Sequence, residues 1–326
     1  MSIIKAQNLN KSFKVKIKEK GILGSLKSIV RPKYEVIKAV DNISFEVNEG
    51  EMIAFIGPNG AGKSTTIKML TCILYPDSGE ISVLGMDPTK DRKKLAYEIG
   101  TVFGQKEQLW MHLTPYDNLK FFGAIYDIED KEIEKRIEHL KEVFELEKFI
   151  NIPVRNLSLG QRIRCEIAAS LIHEPKVLFL DEPTIGLDPV VKDSVRKLIK
   201  KMNKEFGTTV FFTSHDVSDI EKLCKRVIII NNGKIVLDDS MANLKYNYLN
   251  KKIVEVKLKE KIDFENVKGI EVIKSNNNNL KLEIDTRTTT LADVLKLIDD
   301  ENIIDINISN TPLEDIISSI YKEGAK

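Results

Sequence analysis

The chain has 326 residues, 42% of them hydrophobic and 30% charged, with a formal net charge of +1. That describes an ordinary globular protein long enough for two domains, and so small a net charge excludes a global field that would gather nucleic acid. The three cysteines, Cys72, Cys165 and Cys224, show no CxxC spacing and exclude a disulfide framework or a zinc module.

In chain order, Ile3 to Phe13 reads as an edge strand and its exit. Lys14 to Lys38 is basic, and within it Ile22, Leu26, Ile29 and Val30 fall on one face of a short helix that Pro32 stops. This stretch is expected to be a surface excursion packed on the domain, the alternative being a basic amphipathic element at lipid headgroups. Alternation in Ile43 to Val47 predicts a strand, Glu49-Gly50 a turn, and Met52 to Ile56 a buried strand. Next comes Gly57-Pro58-Asn59-Gly60-Ala61-Gly62-Lys63-Ser64-Thr65, which has the spacing of a phosphate-binding loop opening a helix. Its glycines let successive N–H groups point at an anion, and the helix adds the positive end of its dipole. Lys63 can reach the outer phosphates, and the Ser64 hydroxyl can hold Mg²⁺.

Pro76 to Gly79 reads as a turn and Glu80 to Leu84 as a strand. After Gly100-Thr101-Val102-Phe103-Gly104-Gln105 the period becomes helical, with Ile133, Ile137, Leu140 and Phe144 on one face, so residues 107–170 are expected to form an inserted helical subdomain. Near its end, Leu157-Ser158-Leu159-Gly160-Gln161 opens a helix. It can be a plain N-cap or a second anion site built from Ser158, the Gly160 N–H and the helix dipole. Val177 to Leu180 runs into Asp181-Glu182, and Thr209 to Phe212 into Thr213-Ser214-His215. Short two-sided apolar runs separated by helices predict a parallel sheet whose carboxyl ends face a ligand crevice. There Asp181 can hold Mg²⁺ through its water shell, and Glu182 can polarise an attacking water. His112, His139 and His173 have no partners at ligand spacing and are read as structural or surface groups. Asn232-Gly233 marks a hairpin.

Beyond about residue 245 the pattern is new. Val254, Val256 and Leu258 alternate, as do Leu280, Leu282 and Ile284, and then Ile304, Ile306 and Ile308. Leu291, Val294, Leu295 and Ile298 form a helical stripe. Thr311-Pro312-Leu313-Glu314 reads as a capping box opening a last helix. The expected class is α/β, with a phosphate-loop NTPase core over residues 1–242 and a small α+β domain over 243–326.

Taken together, these motifs resemble those of the ATP-binding-cassette (ABC) ATPases, in family order over residues 1 to about 240. Leu157 to Gln161 is similar to the family signature, with Leu159 where a glycine is more usual. Gln105 matches the Q-loop glutamine, a Mg²⁺ and water sensor; Asp188 matches the D-loop and His215 the switch histidine. Phe13 sits where the family stacks an aromatic on adenine, with Tyr34 as the competing ring. Cys72 occupies a position where glycine is common and is expected to be a packed thiol. The resemblance implies an ATPase that uses ATP and Mg²⁺ and pairs head to tail with itself or a sister chain. It would serve a polytopic membrane permease from the cytoplasmic face, without nucleic acid, in the manner of the drug- and antibiotic-exporter branch. Gln108 to Leu113, holding the only tryptophan, Trp110, would line the groove that receives the permease. The alternatives are a cassette ATPase acting on DNA or ribosomes, or an ATP-gated regulator.

Overall fold

The computed structural model describes residues 2–17, 33–104, 106–214, 216–248, 251–260, 269–276, 278–298 and 302–323. The chain divides into two units, Met1–Asp238 and Asp239–Gly324.

The first unit is built on two sheets. β1 (Ser2–Ile17), β2 (Lys33–Asn48) and β4 (Ser78–Val83) form an antiparallel sheet in the order β2-β1-β4. The N-terminal strand is therefore central and not at the edge, because Ile4 to Gln7 pair with β4 while β2 occupies its other side. Nor does it exit at Phe13. Pairing with β2 continues from Ser12↔Lys38 to Ile17↔Lys33, so both ends of the basic segment are arms of a β-ribbon. The helical face expected at Ile22 to Val30 lies outside the described residues.

The second sheet has the order β5-β6-β7-β3-β8-β9, comprising β3 (Met52–Ile56), β5 (Ile99–Phe103), β6 (Val177–Asp181), β7 (Thr209–Ser214), β8 (Arg226–Asn231) and β9 (Lys234–Ser240). Strands β5, β6, β7, β3 and β8 run parallel. β6 and β7 are apolar on both faces and almost wholly buried, as interior parallel strands require. The β8–β9 turn uses Asn232 and Gly233, both at positive φ (48° and 77°), the backbone shape that suits a two-residue hairpin. Phe45 of β2 meets Phe55 of β3 and Phe211 of β7 at centroid distances of 5.7 and 6.0 Å, so one aromatic cluster joins the two sheets.

Helix α1 (Lys63–Leu70) follows β3, and α2 (Arg92–Glu98) precedes β5. Between β5 and β6 the chain forms α3 (Pro115–Ile125), α4 (Asp130–Val143), a 3₁₀ turn (Val154–Asn156) and α5 (Leu159–Leu171). On α4 the buried residues are Ile133, Ile137, Leu140 and Val143, the i, i+4, i+7 stripe of a helix with one apolar face. α6 (Pro189–Phe206) and α7 (Val217–Leu223) flank β7 in the chain.

The second unit opens with α8 (Met241–Tyr248) and contains a four-stranded antiparallel sheet in the order β11-β12-β10-β13. Its strands are β10 (Lys251–Leu258), β11 (Ile270–Asn276), β12 (Asn279–Asp285) and β13 (Ile303–Asn310). α9 (Leu291–Leu297) closes its core through Val294. The last helix, α10, spans Leu313–Glu323, and the Thr311 hydroxyl, expected to cap it, donates to the Lys251 carbonyl at 3.3 Å.

Candidate active site

The turn between β3 and α1 can follow its path only with glycine at two positions. A Cβ on Gly57 would stand 2.2 Å from the Ile230 carbonyl oxygen, and one on Gly62, at φ 111°, would stand 2.3 Å from that of Ala39. Gly62 caps α1 without a side-chain hydrogen bond, and no acidic residue occupies the first turn. The helix therefore presents bare N–H groups and positive dipole, the arrangement that receives phosphate. Lys63 is 5% exposed, and its Nζ donates to the Gly57 and Pro58 carbonyls at 2.8 and 3.2 Å. Burial pulls its pKa below the ordinary lysine value, opposed by the Glu182 and Asp181 carboxylates.

A cleft of about 290 Å³ opens over this loop, and Asn59 to Thr65, Lys68, Phe103, Lys106, Ala39, Asp181 and Glu182 line it. The carboxylates arrive from the end of β6. Asp181 accepts from the Thr213 hydroxyl at 2.6 Å, and Glu182 Oε1 lies 3.7 Å from Lys63 Nζ. Glu182 has φ 53°, a left-handed conformation costing about 1–2 kcal/mol for a residue with a Cβ. Its N–H is held by the Thr213 carbonyl and hydroxyl, both at 3.1 Å. Gly104 permits the fit, since a Cβ there would meet the Glu182 carbonyl oxygen at 2.2 Å. The Ser64 hydroxyl and the Asp181 carboxylate face one cleft as hard oxygen donors. That donor set suits Mg²⁺, which takes few protein ligands and completes its shell with phosphate and water oxygens.

Other expected residues lie elsewhere in the unit. Ser158 is the N-cap of α5 in a reciprocal capping box: its Oγ accepts from Gln161 N at 3.3 Å, and its N–H donates to Gln161 Oε1 at 2.9 Å. Leu159 is exposed, Leu157 and Gly160 are buried, and none of 157–161 lines the phosphate cleft. Asp188 caps α6 by accepting from Val190 and Val191 N–H, each at 3.1 Å. Gln105 and His215 lie outside the described residues. Phe13 stands opposite Ile37, two residues from Ala39 of the cleft, whereas Tyr34 is five residues away and on the other face of the ribbon. At about 3.3 Å per residue, Phe13 is the nearer ring by roughly 10 Å along the strand.

Sequence reasoning missed Thr213, which holds both the Asp181 carboxylate and the Glu182 peptide. Its place at the end of a strand neighbouring β6 was the available signal. Ala39 and Lys106 were also missed, and nothing in their local sequence marks them. Of the histidines, His173 Nε2 meets the Ile99 carbonyl at 3.0 Å under a stacked Tyr126 ring, and His139 faces Glu205 at 3.3 Å. His112 contacts Arg155 at 3.2 Å.

A second cavity, about 310 Å³, lies beside the helical segment, with Gln108, Leu109, Phe122, Tyr126, Glu166 and His173 among its walls. Next to it Trp110 is 59% exposed, packed edge-on to Phe121 at 5.7 Å. Its backbone is pinned by the buried Asn118 side chain, which accepts from Trp110 N at 2.8 Å and donates to Trp110 O at 3.1 Å.

The family model described as ABC transporter matches residues 40–185. The chain is 35% identical over 212 residues to the ABC transporter ATP-binding protein NatA of Bacillus subtilis, covering 65% of this chain and 86% of that one. It is 36% identical over 223 residues to the bacitracin transport ATP-binding protein BcrA of Bacillus licheniformis, covering 68% and 71%. Among solved structures, it is similar to a dimeric, post-hydrolysis ATP-binding cassette bound to ADP and Pi. That match has a TM-score of 0.60 at 28% identity and covers 73% of this chain and 98% of that one.

Proposed function

The chain belongs to the ABC transporter family as an ATP-hydrolysing subunit, and from that premise we propose that it clamps Mg–ATP at a seam between two copies. The observation that carries this reading is a division of parts. Lys63, Asp181 and Glu182 converge on one cleft, while Ser158 and Gly160 stand at a different helix end outside it. A second copy turned head to tail supplies the missing half, and the likeness to a dimeric cassette supports that arrangement.

Within the seam, the bare N-terminus of α1 and Lys63 hold the outer phosphates. Ser64 and Asp181 hold Mg²⁺, which when bound neutralises phosphate charge; Gln105 is assigned to the same ion. Glu182 polarises the attacking water, worth about 10²–10⁴ in rate, and His215 contacts the γ-phosphate. Ser158 and the Gly160 N–H of the partner copy close on that phosphate, and Asp188 lies along the seam. Phe13 stacks on adenine, worth about 1–3 kcal/mol.

The work is passed to a separate membrane permease, with this chain peripheral on the inner face of the cell membrane. Among the described residues no helix is long and apolar enough to cross a membrane. The exposed Trp110, fixed by Asn118 beside a cavity walled in part by Leu109, Phe122 and Tyr126, has the character of an anchor for a partner helix. Export is the direction proposed, following the resemblance to the drug- and antibiotic-exporter branch, with which the likeness to a bacitracin transport protein agrees.

The test is Glu182→Gln. It should bind ATP as the wild type does, lose turnover by about 10²–10⁴, and elute from gel filtration as a dimer only with ATP. Wild-type turnover from a strict monomer would overturn the seam.

A further inference from the structure

Behind the cleft lies a buried charge that the reaction as described does not use. Asp219, on α7, is 0% exposed and is absent from the cleft wall. Its Oδ2 accepts from the Thr184 hydroxyl at 2.5 Å and the Ser214 hydroxyl at 3.1 Å, and its Oδ1 accepts from Arg196 Nε at 2.5 Å. Arg196, itself 5% exposed, also donates to the Ser218 hydroxyl at 2.8 Å, and Lys192 one turn earlier donates to Asp216 at 2.5 Å.

The donors come from three separate segments, and each segment carries a residue of the seam. Thr184 is two residues past Glu182. Ser214 ends β7, one residue before His215. Arg196 sits on α6, the helix that Asp188 caps. A buried ion pair contributes little net stability over a well-packed apolar substitute, because desolvation offsets the attraction. What a fully hydrogen-bonded carboxylate supplies here is geometry, since strong charge-assisted bonds fix all three segments to one point.

We propose that Asp219 is a positioning residue for hydrolysis, tying the Glu182, His215 and Asp188 segments together so that they reach the nucleotide in register. The proposal rests on the reading of Glu182 as the water-polarising group. In that reading a small displacement of the carboxylate costs rate without costing affinity, because the phosphate loop that binds ATP makes none of these contacts. Misplacement by about 1 Å is enough for a loss on the order of 10²-fold.

The test uses the full chain with Thr184→Val, Thr184→Ser and Asp219→Asn, measuring kcat, KM for ATP and the melting temperature. Thr184→Val removes one bond to Asp219 while leaving the Arg196 pair intact, so it remains informative if Asp219→Asn unfolds. It is expected to lower kcat about tenfold or more with KM within about twofold, and Thr184→Ser to restore the rate. Wild-type kcat in Thr184→Val, a loss that Thr184→Ser does not rescue, or a parallel loss of ATP affinity overturns the proposal. Glu182→Gln read alongside separates the two ideas. If it retains turnover the hydrolysis reading fails, whereas a dead Glu182→Gln beside a fully active Thr184→Val sinks only the role of Asp219.

Discussion

Glu166 is a carboxylate whose ionisation works against the fold. It is 5% exposed, and burial pushes its pKa up from 4.5 to about 7, opposed by the Gln108 N–H and Arg162 and aided by Glu107. The folded form thus keeps a proton through a pH range in which the unfolded chain has released it. Stability contributed by the neutral acid is whole below the unfolded pKa, falls as pH rises between the two values, and is gone above the folded one. The full swing is at most about 3 kcal/mol. Glu166→Gln retains an acceptor for the Gln108 N–H and removes the charge. Its stability should match the wild type near pH 4.5 and exceed it by up to about 3 kcal/mol at pH 8, read from denaturant midpoints at both pH values. A difference that stays constant with pH would contradict the burial argument. Cys72 shows the opposite economy: it adopts φ 61°, where glycine is at ease, and its thiol is buried.

At the scale of elements, the start of α5 carries two roles that a single substitution can separate. Ser158→Ala removes a cap, which costs about 1 kcal/mol of stability. If the hydroxyl also completes the partner's phosphate site, hydrolysis falls far more than that cost explains, while ATP binding to the isolated chain stays close to wild type. Melting curves, equilibrium nucleotide binding and steady-state turnover decide the matter; turnover that only tracks the lost stability would reduce Ser158 to a cap. The positions of these elements were largely legible. β3, β6 and β7 are short apolar runs that end in polar residues, and α4 has a clean period, because burial on one or both faces writes itself into spacing. β1 reads as an edge yet lies inside its sheet, because strand neighbours are set by pairing across the chain, to which local alternation is blind. β11 is not legible in the sequence, since only Ile270 of its seven residues is buried and the rest carry no strong period. The cleft's loop and its two carboxylates were visible as motifs. Thr213 shows in the sequence only as a strand end, and its bond to Asp181, like the Asp219 cluster, joins segments 20 to 35 residues apart and leaves no local mark.

For the whole molecule, the division after Asp238 has a thermodynamic consequence. Each unit buries its own apolar cluster, Ile53, Phe55, Phe179 and Phe211 in the first and Val254, Val256, Leu282 and Val294 in the second. Units with separate cores can unfold separately. A fragment of residues 1–240 keeps the whole of β9 and the Arg226–Asp238 pair at 2.7 Å. It should fold and bind Mg–ATP with a Kd within about threefold of the full chain, since the phosphate loop and both carboxylates lie inside it. In calorimetry the full chain should show two transitions, of which nucleotide at about 100 times its Kd raises only one, by about 2.7 kcal/mol. The transition that moves should coincide with the one the fragment shows alone. A single cooperative transition, or two that shift together on adding nucleotide, would mean that the second unit is energetically part of the ATPase core.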